Sequence, residues 1–122
     1  MDGRAQALVE LARQLVERAL QGPLPDQKRV VTNLRYIREQ LEKVYRRHNT
    51  PKTHPQDEAQ RAQMVEAIQG LYGGLEELEW GILRNDPEKL EHSLDLVGRA
   101  ANLFQKLEHE IEDLEGVAEN TL

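Results

Sequence analysis

The residues of this chain best suited to chemistry are carboxylates and histidines on predicted helices. Glu88, His92 and Asp95 follow one another at steps of four and three residues, a spacing that brings side chains to one side of a helix. A di-metal centre in a helical bundle needs such groups to project inward from several helices. On the helical wheel these three lie opposite Leu90 and Leu94, so the pattern favours a charged face in water. We expect neither a metal site nor a cofactor.

A second set of acidic residues lies on predicted helices 3 and 4. Its members are Glu76, Glu77, Glu79, Glu110 and Asp113. In composition, although not in spacing, the set resembles the acidic motif of helical nucleotide pyrophosphatases. That resemblance implies Mg²⁺ held by glutamates of neighbouring helices. Only Glu79 projects towards the apolar side of its helix, so it is the one carboxylate of the set expected to be buried. It would then be an edge residue or pair with an arginine such as Arg61 or Arg99.

Arg47 and His54 form an arginine–histidine pair with six residues between them, in a segment that contains prolines. The separation fits the loose Arg-x(4–6)-His pattern of the HEPN family of small all-helical ribonucleases, which the pair resembles. The resemblance implies a dimer cleft in which the histidine transfers a proton and the arginine stabilises phosphate charge. The alternative is a polar loop between two helices that has no catalytic role.

Nucleophilic and phosphate-binding sites find little support in the sequence. The chain has no cysteine, and its single serine, Ser93, is placed on the outer face of predicted helix 4. No strand precedes the glycines at positions 70–74 and no lysine lies among them, so they do not form a phosphate-binding loop. One Trp, three Tyr and one Phe are few for stacking on nucleic-acid bases. The sequence therefore favours a non-catalytic protein over an enzyme.

The elements that position these residues are four predicted helices. They span about residues 3–21, 27–48, 57–84 and 87–115, with Asp26 and Asp86 as N-caps of the second and fourth. Strand-period alternation is absent. The sequence therefore predicts a single all-α domain over residues 1–122, an antiparallel up-and-down four-helix bundle with a loose tail at 117–122. Helix 3 could be one rod or could be kinked near Gly73 and Gly74.

Three glycines of predicted helix 3 lie on one side of it. Gly70, Gly74 and Gly81 share that side with Ala67. Each interior glycine costs roughly 1 kcal/mol relative to alanine, so their retention predicts close approach of another helix. The adjacent apolar stripe consists of Met64, Ile68, Leu71, Leu75, Leu78 and Ile82.

This combination predicts a surface that binds a partner helix or a second copy of the chain. Trp80 and Tyr36 lie outside the main apolar seams and are of the residue types that dominate contact energies at interfaces. The alternative is that they cover the core of a single chain. The predicted binding residues are Ala67, Gly70, Leu71, Gly74, Leu78, Trp80, Gly81 and Tyr36.

Charge is divided unevenly along the chain. Residues 1–50 hold ten Lys/Arg and six Asp/Glu, a net of +4, whereas residues 51–122 hold six and sixteen, a net of −10. A basic face that includes Lys28, Arg35 and Arg46 could meet an acidic partner, or the basic and acidic helices could simply pack together. The lack of cysteine and of long apolar stretches leads us to expect a cytoplasmic protein that does not enter a membrane.

A family resemblance is carried by the second half of the chain. Residues 71–75 read Leu-Tyr-Gly-Gly-Leu, and Asp86 with Glu88 and Lys89 forms the link to the next helix. This pattern resembles the opening helical hairpin of FliS-type flagellar export chaperones. The resemblance covers residues 71–107 and implies a small cytoplasmic bundle that grips an amphipathic export-signal helix in a groove, without catalysis.

Overall fold

The computed structural model describes residues 4–51 and 53–110, and it describes side chains over 5–51 and 53–107. Four α-helices are present, α1 (Arg4–Gln21), α2 (Gln27–His48), α3 (Pro55–Arg84) and α4 (Pro87–Glu110), and the described residues contain no strand. The predicted all-α four-helix bundle is confirmed. α3 runs over 30 residues without a break at Gly73 and Gly74. The predicted end of helix 4 at residue 115 and the tail at 117–122 lie outside the described residues.

A two-residue link turns α3 into α4. Asn85 adopts a left-handed backbone conformation with φ of 50°, and its amide donates to the carbonyls of Gly81 and Ile82. The Oδ1 atom of Asp86 accepts hydrogen bonds from the amides of Glu88 and Lys89 at 3.1 and 3.3 Å. The predicted N-cap at Asp86 is confirmed, and this tight link makes α3 and α4 a hairpin.

The left-handed residue gives a stability prediction. Replacing Asn85 with alanine is expected to lower the free energy of unfolding by about 1 kcal/mol, because a Cβ-bearing side chain without a polar group tolerates this conformation poorly. Urea denaturation followed by circular dichroism measures the change. Asn102→Ala, at an exposed position within α4, is the matched control and should raise stability by a few tenths of a kcal/mol. Equal effects at the two positions would contradict the prediction.

The predicted N-cap at Asp26 is wrong in its chemistry. Asp26 does precede α2, but its side chain makes no capping hydrogen bond. Its Oδ1 atom instead accepts a hydrogen bond from Nη2 of Arg18, in the last turn of α1, at 2.8 Å. A charged donor is a stronger partner for a carboxylate than a backbone amide, so the side chain ties the two ends of the 22–26 loop together.

Contacts between helices show how the chain alternates in direction. α1 packs on α4, α4 on α3 and α3 on α2, and α1 also touches α3. Residue numbers rise along one helix and fall along the other in each antiparallel pair. The pairs are Gly81 with Leu90 and Gly74 with Val97 for α3 and α4, Arg35 with Glu79 and Asn49 with Arg61 for α2 and α3, and Gln6 with Gln105 for α1 and α4.

Small residues lie on the facing sides of several helices. α3 presents glycines to α4, and α1 contributes the buried Ala5 and Ala12 while α4 contributes Ala100 and Ala101. α2 contains neither alanine nor glycine. α2 nevertheless packs on α3, and over the described residues α1 and α2 do not approach each other closely. The described helices therefore leave an opening between α1 and α2.

Candidate functional site

The glycine side of α3 faces α4 of the same chain. Close approach of another helix is what the structure shows, and the approaching helix is intramolecular. The space beside each glycine is already filled by the opposite helix. An added Cβ would lie 2.9 Å from Ala100 Cβ at Gly70, 2.6 Å from Val97 Cγ2 at Gly74 and 2.9 Å from Leu90 Cγ at Gly81.

Most of the predicted binding residues are consequently interior. Gly70 is partly buried, and five others are buried, namely Ala67, Leu71, Gly74, Leu78 and Gly81. Only Tyr36, 61% exposed, and Trp80, 43% exposed, reach the surface. α3 therefore has no open glycine groove of the kind that the export-chaperone resemblance implied, because α4 occupies that position.

Trp80 lies on the outer side of α3. The guanidinium carbon of Arg84 lies over its ring, 4.5 Å from the centroid. Leu83, one turn away, is also exposed. Gly73 lies two turns before Trp80 on nearly the same side, and a Cβ there would meet nothing within 4 Å. This face is a small apolar patch on which none of the other described helices packs.

Glu79 is the buried carboxylate that the sequence predicts, and its burial is confirmed. The predicted arginines are wrong. Its oxygens accept hydrogen bonds from Arg35 Nε at 2.9 Å and from Arg38 Nη2, both on α2. Arg61 lies on the same helix about 27 Å away and binds Glu58 and Asn49, and Arg99 binds Asp95.

Arg38 is the centre of this polar cluster between α2 and α3. Its guanidinium carbon lies 5.3 Å from the ring centroid of Tyr72, and Nη1 lies 3.5 Å from a carboxylate oxygen of Glu76. Its buried Nε has no hydrogen-bond partner among the described residues. Because both oxygens of Glu79 are engaged by guanidinium groups, a Mg²⁺ ion at Glu79 would have to displace an arginine. The arrangement is that of an ion cluster joining two helices.

The other chemically interesting residues are dispersed. Arg47 is exposed in the last turn of α2, and His54 is exposed immediately before α3. Glu88, His92 and Asp95 are exposed on α4. Across 5–51 and 53–107, no three histidine, aspartate or glutamate side chains form a group able to hold a metal ion.

The structure places Ser93 in the interior and Arg61 beside the loop between α2 and α3. The expectation that Ser93 lies on the outer face of helix 4 is wrong, since it is fully buried and its Oγ donates to the Leu90 carbonyl at 2.6 Å. Arg61 clamps the 49–54 loop by donating to Asn49 Oδ1 at 2.8 Å. Its hydrogen bond to Glu58 raises the pKa of the Arg61 guanidinium above its usual value. Neither residue is arranged for catalysis.

The feature that sequence reasoning missed is the opening between α1 and α2. We call it the α1/α2 seam, and its members are Leu8 and Leu11 on α1 and Ile37, Leu41 and Val44 on α2. All five side chains are packed against the core yet only partly buried. At 100° per residue they lie on the inward sides of α1 and α2, opposite the exposed Gln6 and Arg35. Leu41 and Val44 also pack against a cluster of α3 and α4 residues, namely Met64, Ala67, Ile68 and Leu107.

Burial along the seam decreases away from the 22–26 loop. Next to the loop the apolar residues Leu15, Leu24 and Val30 are buried. The five seam residues, which lie farther from the loop along α1 and α2, are only partly buried. No pattern within either helix indicates the seam, because its members read as ordinary core positions.

One edge of the seam is a polar stripe along α2, which we call the α2 rim. Its members are Arg29, Asn33, Tyr36, Gln40, Lys43 and Arg47, at alternating steps of four and three residues. The stripe contains three cations, one exposed aromatic ring and no acid. Of the glutamates of α2, Glu39 lies beside the stripe, one turn before Lys43 and on the edge away from the seam. Glu42 lies farther round the helix, where it binds Arg46 at 3.1 Å.

The fold and its surfaces define the class as an all-α four-helix bundle with one apolar seam. No protein-family model matches the chain, and neither a curated protein nor a solved structure matches it. None of the described helices combines the length and the apolar character needed to cross a membrane. The seam, the α2 rim and the Trp80 patch are therefore the surfaces from which a function is inferred.

Proposed function

We propose that the protein is a non-catalytic interaction module that holds an amphipathic helix of another protein in the α1/α2 seam. The observation that supports this proposal is the row of five partly exposed aliphatic side chains on two helices that do not close on each other. An amphipathic helix placed in an apolar groove inserts side chains at helical spacing between such rows. The module would then resemble an export chaperone in what it grips, although the groove lies between α1 and α2.

A second copy of the chain fits the seam less well. In a two-fold dimer each surface meets its own equivalent, so two seams facing each other would bring two basic α2 rims together. The outer face of α4 is a poor alternative occupant, because it presents charged groups such as Glu88, Glu91 and Asp95 and no apolar stripe. A foreign helix therefore suits the seam better than a copy of this protein.

A neutral peptide tests the proposal without involving charge. The probe is a fluorescein-labelled helix of about five turns with leucines at helical spacing in a glutamine and alanine background. We expect saturable binding by fluorescence anisotropy. Amide shifts in isotope-labelled protein should be concentrated at residues 8–15 and 37–44. No binding, or shifts confined to the Trp80 patch, would overturn the proposal.

A pair of seam substitutions locates the binding site. Ile37→Gln with Leu41→Gln is expected to weaken binding of the neutral peptide about tenfold, because apolar burial at both positions is lost. Leu83→Gln, an exposed leucine on α3, is the matched control and should leave the affinity unchanged. Circular dichroism confirms that each variant is folded. If the fold of the double variant is lost, Leu8→Gln serves as the replacement.

A further inference from the structure

The charges that border the seam indicate which charge a bound helix would need. Arg29, Lys43 and Arg47 are exposed and have no salt-bridge partner among the described residues. Arg35 is paired with Glu79 and Arg46 with Glu42, whereas Lys28 is exposed and has no salt-bridge partner among the described residues. Two members of the basic face that the sequence predicts at Lys28, Arg35 and Arg46 are thus paired. Of the four α2 cations without such a partner, three lie on the α2 rim.

The opposite edge of the seam adds no negative charge. On α1, the glutamates Glu10 and Glu17 lie on the side away from the seam, where both bind Arg13. Asp26, at the closed end, binds Arg18. The seam is therefore an apolar row bordered by cations and neutral polar groups, in a protein whose net charge is −6. This local reversal of sign favours a negatively charged ligand at the seam.

We propose that the α1/α2 seam selects an acidic amphipathic helix, one whose apolar stripe is bordered by aspartate or glutamate. This inference rests on the proposed function. Arg29, Lys43 and Arg47 attract the acidic border, and Tyr36, midway along the same stripe, covers the edge of the docked helix. A nucleic acid could bind the three cations through its phosphates. It has no apolar side chains to bury against the aliphatic residues of the seam, whereas an amphipathic helix has.

Three labelled peptides with one apolar stripe test this selection. They differ only in the bordering residues, which are Glu, Gln or Lys. At low salt we expect the Glu peptide to bind about tenfold more tightly than the Gln peptide and the Lys peptide to bind most weakly. In 0.5 M NaCl the three affinities should converge, because exposed charges are screened. Equal affinities for the Glu and Gln peptides at low salt would overturn the selection while leaving the proposed function intact.

Two double variants with the same change in net charge provide the matched control. Lys43→Glu with Arg47→Glu reverses charge on the α2 rim and should make the protein prefer the Lys peptide. Lys28→Glu with Arg46→Glu reverses charge on the other edge of α2 and should retain the preference for the Glu peptide. Equal losses in both variants would show a general charge effect and overturn the proposal. Tighter binding of a labelled single-stranded oligonucleotide than of the Glu peptide, abolished only by the rim variant, would also overturn it in favour of a nucleic acid.

Discussion

Gly74→Leu is expected to lower the free energy of unfolding by about 3 kcal/mol, whereas Gly73→Leu is expected to change it by less than about 1 kcal/mol. The two glycines are adjacent in α3, but their surroundings differ. A Cβ at Gly74 would lie 2.6 Å from Val97 Cγ2 and 3.1 Å from the Val97 backbone nitrogen, and a Cβ at Gly73 would meet nothing within 4 Å. Urea denaturation followed by circular dichroism at 222 nm measures both effects.

The size of the destabilisation expected for Gly74→Leu follows from the atoms of α4 that would have to move. Val97 is fully buried and β-branched, so its side chain has few alternative rotamers. The contact with its backbone nitrogen cannot be relieved by a side-chain rotation at all. α4 would have to move away from α3 along much of the hairpin, which would loosen the contacts at Gly70 and Gly81 as well. Helix propensity favours leucine over glycine at both positions and therefore cannot explain a difference between the two variants.

Two outcomes would contradict this account of the glycines. If Gly73→Leu were as destabilising as Gly74→Leu, the outer side of α3 would be packed against something other than solvent. If neither variant lost stability, the close approach of α4 would not depend on the missing side chains. Sedimentation of both variants separates these effects from self-association, since the loss expected for Gly74→Leu is a property of the single chain.

The sequence was sufficient for the four helices because their signals are local. Apolar periodicity, the prolines and the Asp86 cap each act within one or two turns, and the structure agrees with the predicted helix ends to within about two residues, apart from the end of helix 4, which lies outside the described residues. The glycines of α3 likewise predicted close approach of a helix. They could not indicate which helix approaches, because a glycine shows only that space is needed and has no side chain that specifies a partner.

Residues that depend on the neighbouring helix were harder to place. The azimuth of Glu79 predicted its burial correctly, but its arginines come from α2, and only the order of helices around the bundle determines that choice. The α1/α2 seam was missed for a related reason. Every seam residue reads as an ordinary core position, and its partial exposure depends on the separation of α1 and α2, which the sequence of neither helix specifies.

Glu79→Gln is expected to lower the free energy of unfolding by about 3 kcal/mol, because it leaves a guanidinium group buried without its counter-charge. The Arg35 side chain is 59% exposed and can turn to water, whereas the Arg38 side chain is only 14% exposed. Arg38 would keep the ring of Tyr72 and the more distant carboxylate of Glu76 as partners. Urea denaturation of the purified variant measures the loss.

Glu76→Gln is the matched control, since it removes a carboxylate that faces the same arginine. Its side chain is 49% exposed and lies 3.5 Å from Arg38 Nη1, so we expect a loss below about 1 kcal/mol. A second substitution tests the cause. Arg38→Met in the Glu79→Gln background removes the unpaired buried cation and should recover part of the lost stability. A further loss in the double variant would show that Arg38 stabilises the helix pair through its packing and not through its charge. Equal losses for Glu79→Gln and Glu76→Gln would show that burial does not strengthen the ion cluster that joins α2 to α3.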